Sequence, residues 1–219
     1  MKTTIISLGG SLIYPNKRDY AFLAKFKYII DSTDGRFIIF CGGGHLARKL
    51  QKIGKFFHLS RNILDWIGIF ATRRNALAVK KMFENVHNEI INNPSLKFEF
   101  NEKIAVACGW KPGWSTDYCA VVLAENLGIG SIINMSNVEY VYDKDPNLFL
   151  DAKIIEKIKW SEFKEIVGDT WQPGMNKPFD PIASKKAAEI GLKVFIIGKD
   201  TSNLKNLIEG RKFKGTVIN

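Results

Sequence analysis

A chain of 219 residues can bury a substantial core in one large or two small domains, and 46% hydrophobic with 25% charged residues argues against disorder. Its 32 basic and 22 acidic residues give a formal charge of +10, which favours anionic partners. The lysines are spread along the whole chain without an aromatic-and-arginine module, so nucleic acid is set aside in favour of anionic small molecules. Cys41, Cys108 and Cys119 are odd in number and lack CxxC spacing, which excludes a disulfide framework or zinc site and fits a reducing cytoplasm.

The first apolar run, 3–8, is too short for a signal peptide or a membrane span and predicts a strand. A helix near 20–31, a strand at 36–41 and a helix from His45 to about Phe57 follow. Residues 65–91 read as one long helix from three- and four-residue apolar spacing, and 96–100 as a short strand. Then come a strand at 104–108, a helix at 116–127, a strand at 131–135 and a turn-rich stretch at 137–147. The end brings a helix near 161–167, a loop over 168–179, a helix at 181–190, a strand at 193–197, a helix at 203–210 and a last strand near 216–218. Alternating elements predict an α/β fold with a mainly parallel sheet covered by helices and nucleotide sites at strand C-terminal ends. The whole chain, 1–219, reads as a single domain without repeat or linker.

Chemistry concentrates after the strands. Gly9, Gly10 and Ser11 follow the first, and Gly42, Gly43 and Gly44 follow the second, where glycine lets main-chain N–H groups approach an anion. Neither loop matches GxxxxGK[ST] or GxGxxG. Arg48 lies one helical turn beyond Gly44, placed to point back at the same anion. Residues 108–119 run from a strand through a Gly/Pro turn to Ser115, Thr116 and Asp117 at a helix start, where free N–H groups and the dipole favour phosphate. Asp180 before Pro181 is a second carboxylate at a helix start. A helix start that can hold a phosphate, with a carboxylate to orient donors or metal around it, is the chemistry of phosphoryl transfer. The run 143–147 begins like a calcium loop but has Leu148 and Ile154 at its sixth and twelfth positions, so calcium is rejected. His45, His58 and His87 are too scattered for a metal cluster, and no protein metal site is expected.

Six segments carry a resemblance: Gly9-Gly10-Ser11, the stretch from Gly42 to Arg48, that from Asp65 to Arg73, Ser115-Thr116-Asp117, that from Asn137 to Pro146, and that from Asp180 to Lys185. In this order they resemble the amino acid kinase superfamily, and within it the UMP kinases of the archaeal-type branch, over nearly the whole chain. The resemblance implies a three-layer αβα sandwich with a mainly parallel open sheet, and ATP-dependent phosphorylation of UMP to UDP in pyrimidine nucleotide biosynthesis, by direct in-line transfer, with ATP and Mg²⁺ as cofactors. It implies an acceptor half to about residue 130, an ATP half from about 131 to 219, a cytoplasmic setting and a homo-oligomer, a hexamer, with neither nucleic-acid nor membrane partners. By motif position, Asp117, Asp180 and Gly10 belong to the reaction centre. Gly43, Gly44, Arg48, Asp65 and Thr116 belong to UMP, with Asp65 on the ribose hydroxyls, and Gly9, Gly10, Ser11, Asn137, Tyr142 and Asp145 to ATP.

Two features depart from that pattern. Many superfamily relatives carry a lysine two residues before the glycine pair, where this chain has Ser7, as the archaeal-type relatives also lack it. Lys111, Lys144 and Lys185 are candidates for the missing cation. The turn Trp110-Lys111-Pro112-Gly113-Trp114 is also bulkier than the usual small-residue turn, with two indoles to stack on a base or cover the sheet end. The aromatics Phe56, Phe57, Trp66 and Phe70 read as core or subunit interface. Alternatives from other classes are a kinase of the same fold with another phosphomonoester or a carboxylate as acceptor, a non-catalytic nucleotide or oxyanion binder, and an RNA-binding protein.

Overall fold

The computed structural model describes residues 2–219 apart from 17, 147, 169 and 171–176. Six elements build the first half of the sheet and its cover: β1 (Thr3–Leu8), α1 (Gly10–Ile13), α2 (Tyr20–Ser32), β2 (Arg36–Cys41), α3 (Gly44–Phe56) and α4 (Arg61–Lys80). They are followed by β3 (Val86–Ile91), β4 (Ile104–Ala107), α5 (Thr116–Asn126) and β5 (Ser131–Met135). A small arm pairs β6 (Val141–Tyr142) with β7 (Ile154–Ile155). The chain then runs through β8 (Lys157–Ile158), α6 (Trp160–Val167), α7 (Pro181–Glu189), β9 (Lys193–Ile197), α8 (Thr201–Ile208) and β10 (Thr216–Ile218).

Eight strands form one sheet in the order β3-β4-β2-β1-β5-β9-β10-β8, parallel throughout except where β10 meets β9. The central strands are apolar on both faces because helices cover both. Ile38 and Phe40 of β2 point to one core, with Phe163, Phe179 and Ala183, while Phe37, Ile39 and Cys41 point to the other, with Phe26, Ala76 and Leu204. β1 pairs with β2 on one side and β5 on the other, so the strand order reverses at its edge and a crevice opens beyond its C-terminal end.

Two expectations are corrected. The helix expected over 65–91 is two elements: α4 starts earlier, capped by Ser60, whose hydroxyl accepts from Ile63 N at 3.4 Å, and ends at Lys80. Val86–Ile91 is instead an edge strand on β4, and its apolar residues Val86, Ile90 and Ile91 satisfy either period. No strand forms over 96–100. The alternating Phe98 and Phe100 stack on each other at 5.4 Å between centroids, and the Phe100 carbonyl is taken by the Arg36 guanidinium at 2.8 Å rather than by a ladder. The loop expected over 168–179 lies largely outside the described residues. Among the described residues no helix is long and apolar enough to cross a membrane.

Candidate active site

The crevice holds a cavity of about 300 Å³ bounded by the loops after β1, β2, β4 and β5 and by the start of α7. Its floor is a contact between glycines. Gly9 N donates to Met135 O at 2.8 Å and Gly42 N to Leu8 O at 2.9 Å, which carries the strand registers into the loops. A Cβ on Gly10 would lie 2.2 Å from Gly44 N, and one on Gly44, whose φ is +57°, would lie 2.1 Å from Gly10 C. No residue with a side chain fits either place, so the two loop tips sit backbone to backbone and both line the cavity. Asn75 of α4, fully buried, donates to Gly42 O at 2.8 Å and holds the second tip from behind.

The acceptor-side wall comes from β4 and α4. Lys111-Pro112-Gly113-Trp114 is a turn closed by Trp114 N to Lys111 O at 3.2 Å, with Gly113 at φ +83°, as proline then glycine in a type II turn require. Asp65, 8% exposed, accepts from Gly113 N through Oδ2 at 2.9 Å and fixes the turn to α4. Its Oδ1 is buried without a hydrogen-bond partner and remains an acceptor for a ligand hydroxyl. Thr72 braces the strand exit by accepting from Gly109 N at 2.9 Å. Trp114 meets Trp110 and Tyr118 edge to face at 4.7 and 4.5 Å, so the indoles pack on each other and on the core, with Trp114 also lining the cavity.

At the centre stand two carboxylates. Ser115 caps α5 by accepting from Tyr118 N at 3.0 Å, which places Thr116 and Asp117 in the first turn. The Ser7 hydroxyl of β1 donates to Asp117 Oδ1 at 3.0 Å. Burial, then the neighbouring Asp180 carboxylate, push the Asp117 carboxyl from the ordinary 3.8 up to about 7, against the opposing pull of Ser7. Asp180, 5% exposed, caps α7 by accepting from Ala183 N through Oδ1 at 2.6 Å, and burial raises its pKa as well. Its Oδ2 has no hydrogen bond at ordinary geometry, although the nearby Ser115 hydroxyl eases its ionisation. The pair is short of positive charge.

Most of the residues singled out from sequence share this one cavity. Gly9, Gly10 and Ser11 line it with Gly43, Gly44 and Arg48, and so do Asp65, Thr116, Asp117, Asn137 and Asp180. Tyr142 and Asp145 do not. Tyr142 sits on the β6–β7 arm, and Asp145 opens a turn in which its carbonyl accepts from Leu148 N and Phe149 N at 3.1 and 2.9 Å. Of the candidate lysines, Lys144 is engaged by Asp151 at 2.6 Å and Lys185 is exposed on α7, neither lining the cavity, whereas Lys111 lines it. Sequence reasoning passed over Ser7 as a partner for Asp117, Asn75 behind the glycine tip, and Lys177, which also lines the cavity. Nothing local marks the first two, since their partners lie far along the chain.

Residues 2–198 match the family model described as the amino acid kinase family. A uridylate kinase of Pyrococcus abyssi is 34% identical over 221 residues, covering 98% of each chain. One of Thermoplasma volcanium is 33% identical, covering 96% of this chain and 94% of its own. The crystal structure of uridylate kinase from Archaeoglobus fulgidus superposes over 100% of both chains with a TM-score of 0.84 at 28% identity.

Proposed function

We infer that this chain, which belongs to the amino acid kinase family and within it to the uridylate kinases, moves the terminal phosphoryl group of ATP onto the phosphate of UMP in the cavity beyond β1. The observation that carries this reading is convergence: the Gly10–Gly44 contact and the N-terminal turns of α5 and α7 all line one crevice together with the Asp117–Asp180 carboxylate pair. Phosphoryl transfer asks a protein for little covalent chemistry; it asks for two anions held in line and for neutralisation of the charge between them.

The acceptor half, to about residue 130, would hold UMP: Arg48 and the amides of Gly43 and Gly44 on the phosphate, Thr116 beside it, and Asp65 Oδ1 on a ribose hydroxyl. The half from about 131 would hold ATP, with Gly9, Gly10 and Ser11 on the transferring group and Asn137 beside the nucleotide. Tyr142 and Asp145 would be met only by a base reaching past Asn137 toward the β6–β7 arm. Mg²⁺ fits the centre, because the buried Asp180 Oδ2 lacks a hydrogen bond and Asp117 lacks a counter-charge. Among the described residues no group of three or more His, Cys, Asp or Glu could hold an ion alone. The phosphates of ATP would therefore supply most of its oxygen ligands, facing Asp117 and Asp180, and the ion would neutralise charge on the transferring group. Asp117 and Asp180 act as orienters rather than bases, since the UMP phosphate is already ionised near neutral pH.

The product would feed pyrimidine nucleotide synthesis, in the cytoplasm. A homo-oligomer, a hexamer, is part of the same proposal, and the exposed Phe56, Phe57, Trp66 and Phe70 on and beside α3 and α4 support it by offering an apolar face to cover. A coupled ADP-release assay across UMP, CMP, dUMP, isopentenyl phosphate and N-acetylglutamate tests the acceptor. UMP should give the highest kcat/KM. No turnover of UMP above background, or preference for the carboxylate, would end this reading.

A further inference from the structure

We propose that Lys111 is a phosphate-binding cation of the acceptor site, kept on the faces of Trp110 and Trp114 while the site is empty and handed to the acceptor phosphate when it arrives. This rests on the reading of the cavity as a phosphoryl-transfer site. Lys111 Nζ lies 4.0 Å from the Trp110 ring centroid and 4.8 Å from that of Trp114, within cation–π range of both. The two indoles stand nearly perpendicular, at 89°, and form a corner into which the ammonium fits.

The backbone under this lysine is fixed on both flanks. Pro112 sets φ in the turn, Gly113 N is anchored to Asp65 of α4, and Trp114 is braced on Tyr118 of α5. The Lys111 side chain is thus the part of the turn with freedom to move, and Lys111 lines the same cavity as Ser115 and Thr116.

The charge balance of the cavity gives the lysine its task. The described lining residues include three carboxylates, Asp65, Asp117 and Asp180, against three cations, Arg48, Lys111 and Lys177. Two anionic ligands would leave that set short of positive charge at their meeting point. Ser7 on β1 contributes only a neutral hydroxyl to Asp117. Lys177 donates to the Ile166 carbonyl at 3.3 Å on the α6 side, and Arg48 stands on α3 beside the second glycine tip. Lys111 is the cation of the third loop, four residues before the α5 cap.

Indole faces suit this duty better than a carboxylate would. A carboxylate partner would neutralise the ammonium and compete with the incoming phosphate. A π face holds the cation without cancelling its charge, and more weakly than a charge-assisted hydrogen bond to phosphate, so the lysine transfers downhill.

The test compares the wild-type chain with Lys111→Met, which keeps the stem and removes the charge, and with Lys111→Arg. For UMP, Lys111→Met should lower kcat/KM by about tenfold to about a hundredfold, the range of one charge-assisted contact, while the KM for ATP stays within about twofold and the melting temperature of the ligand-free chain falls by no more than about 4 °C. Lys111→Arg should restore most of the loss. Tryptophan emission supplies a second readout: titration with UMP, and separately with inorganic phosphate, should change the emission of the wild-type chain as the ammonium leaves the indoles, and should change that of Lys111→Met far less. A Met variant within about twofold of wild type in kcat/KM for UMP, or with the same phosphate-induced emission change, overturns the assignment. Should the wild-type chain fail to turn over UMP at all, the uridylate reading falls, and the phosphate titration still decides the role of Lys111.

Discussion

Asp117→Asn should make the ligand-free protein more stable and nearly inactive at once. Asp117 is partly buried against Asp180, and its carboxyl is raised from 3.8 to about 7. The sign follows from linkage: the folded state holds this proton more tightly than the unfolded chain, so its contribution is full below about pH 4 and is lost as pH rises to about 7. About three pH units at about 1.4 kcal/mol each make roughly 4 kcal/mol an upper figure, and partial exposure brings it to the order of 2–4 kcal/mol. Asparagine keeps the shape and can still accept from Ser7, but carries no charge beside Asp180.

Thermal melts of both proteins in EDTA at constant ionic strength, from pH 4.5 to 8, measure the difference directly. The variant should match wild type near pH 4.5 and exceed it at pH 8 by on the order of 5–10 °C, since 1 kcal/mol moves a chain of this size by about 2–4 °C. Turnover with UMP and ATP should fall by orders of magnitude while UMP affinity stays within about tenfold. A gap independent of pH, or a variant no more stable than wild type at pH 8, would refute the charge argument. An unaltered rate would refute the role at the reaction centre.

Gly44→Ala places a methyl 2.1 Å from Gly10 C at a φ of +57°, so left-handed strain and overpacking together should cost on the order of 2–5 kcal/mol and abolish turnover. Gly130→Ala, whose methyl would meet open space, should leave both stability and rate near wild type, and a mild Gly44→Ala phenotype would contradict the tight contact of the loop tips. For assembly, light scattering after size exclusion should give a mass several times 24.8 kDa, six times for the hexamer, and Trp66→Glu with Phe70→Glu should reduce it; a monomeric wild-type chain would remove the oligomer from the proposal.

The sheet was legible because its central strands are continuous apolar runs punctuated by glycine, and a strand buried on both faces leaves little else to fit such a run. The edge was not. At β3 only Val86, Ile90 and Ile91 carry the pattern, and they extend the helical period of α4 as naturally as they pair with β4. Phe98 and Phe100 alternate as in a strand, yet ring stacking and Arg36 rather than a ladder hold that segment. Cavity-lining residues clustered in short motifs, from Gly42 to Arg48 or from Ser115 to Asp117, stood out because each motif is one loop and the start of one helix. Pairings across the fold could not: Ser7 meets Asp117 over 110 positions and Asn75 meets Gly42 over 33, and no local pattern links either pair.

Those long-range pairs also explain why the empty site is electrostatically unfinished. A cation at position 7, on the strand where the order reverses, would lie against Asp117 and hold its carboxyl low; the hydroxyl there offsets only part of burial and of Asp180. The ligand-free fold therefore keeps a carboxylate pair raised by burial, with no hydrogen bond at ordinary geometry on Asp180 Oδ2. On the proposed reading, binding energy from a nucleotide and its counter-ion would be directed to this centre rather than spread over contacts already satisfied. A ligand that binds only the folded chain and brings positive charge to this pair should therefore raise its stability, by an amount that grows with ligand concentration over its Kd.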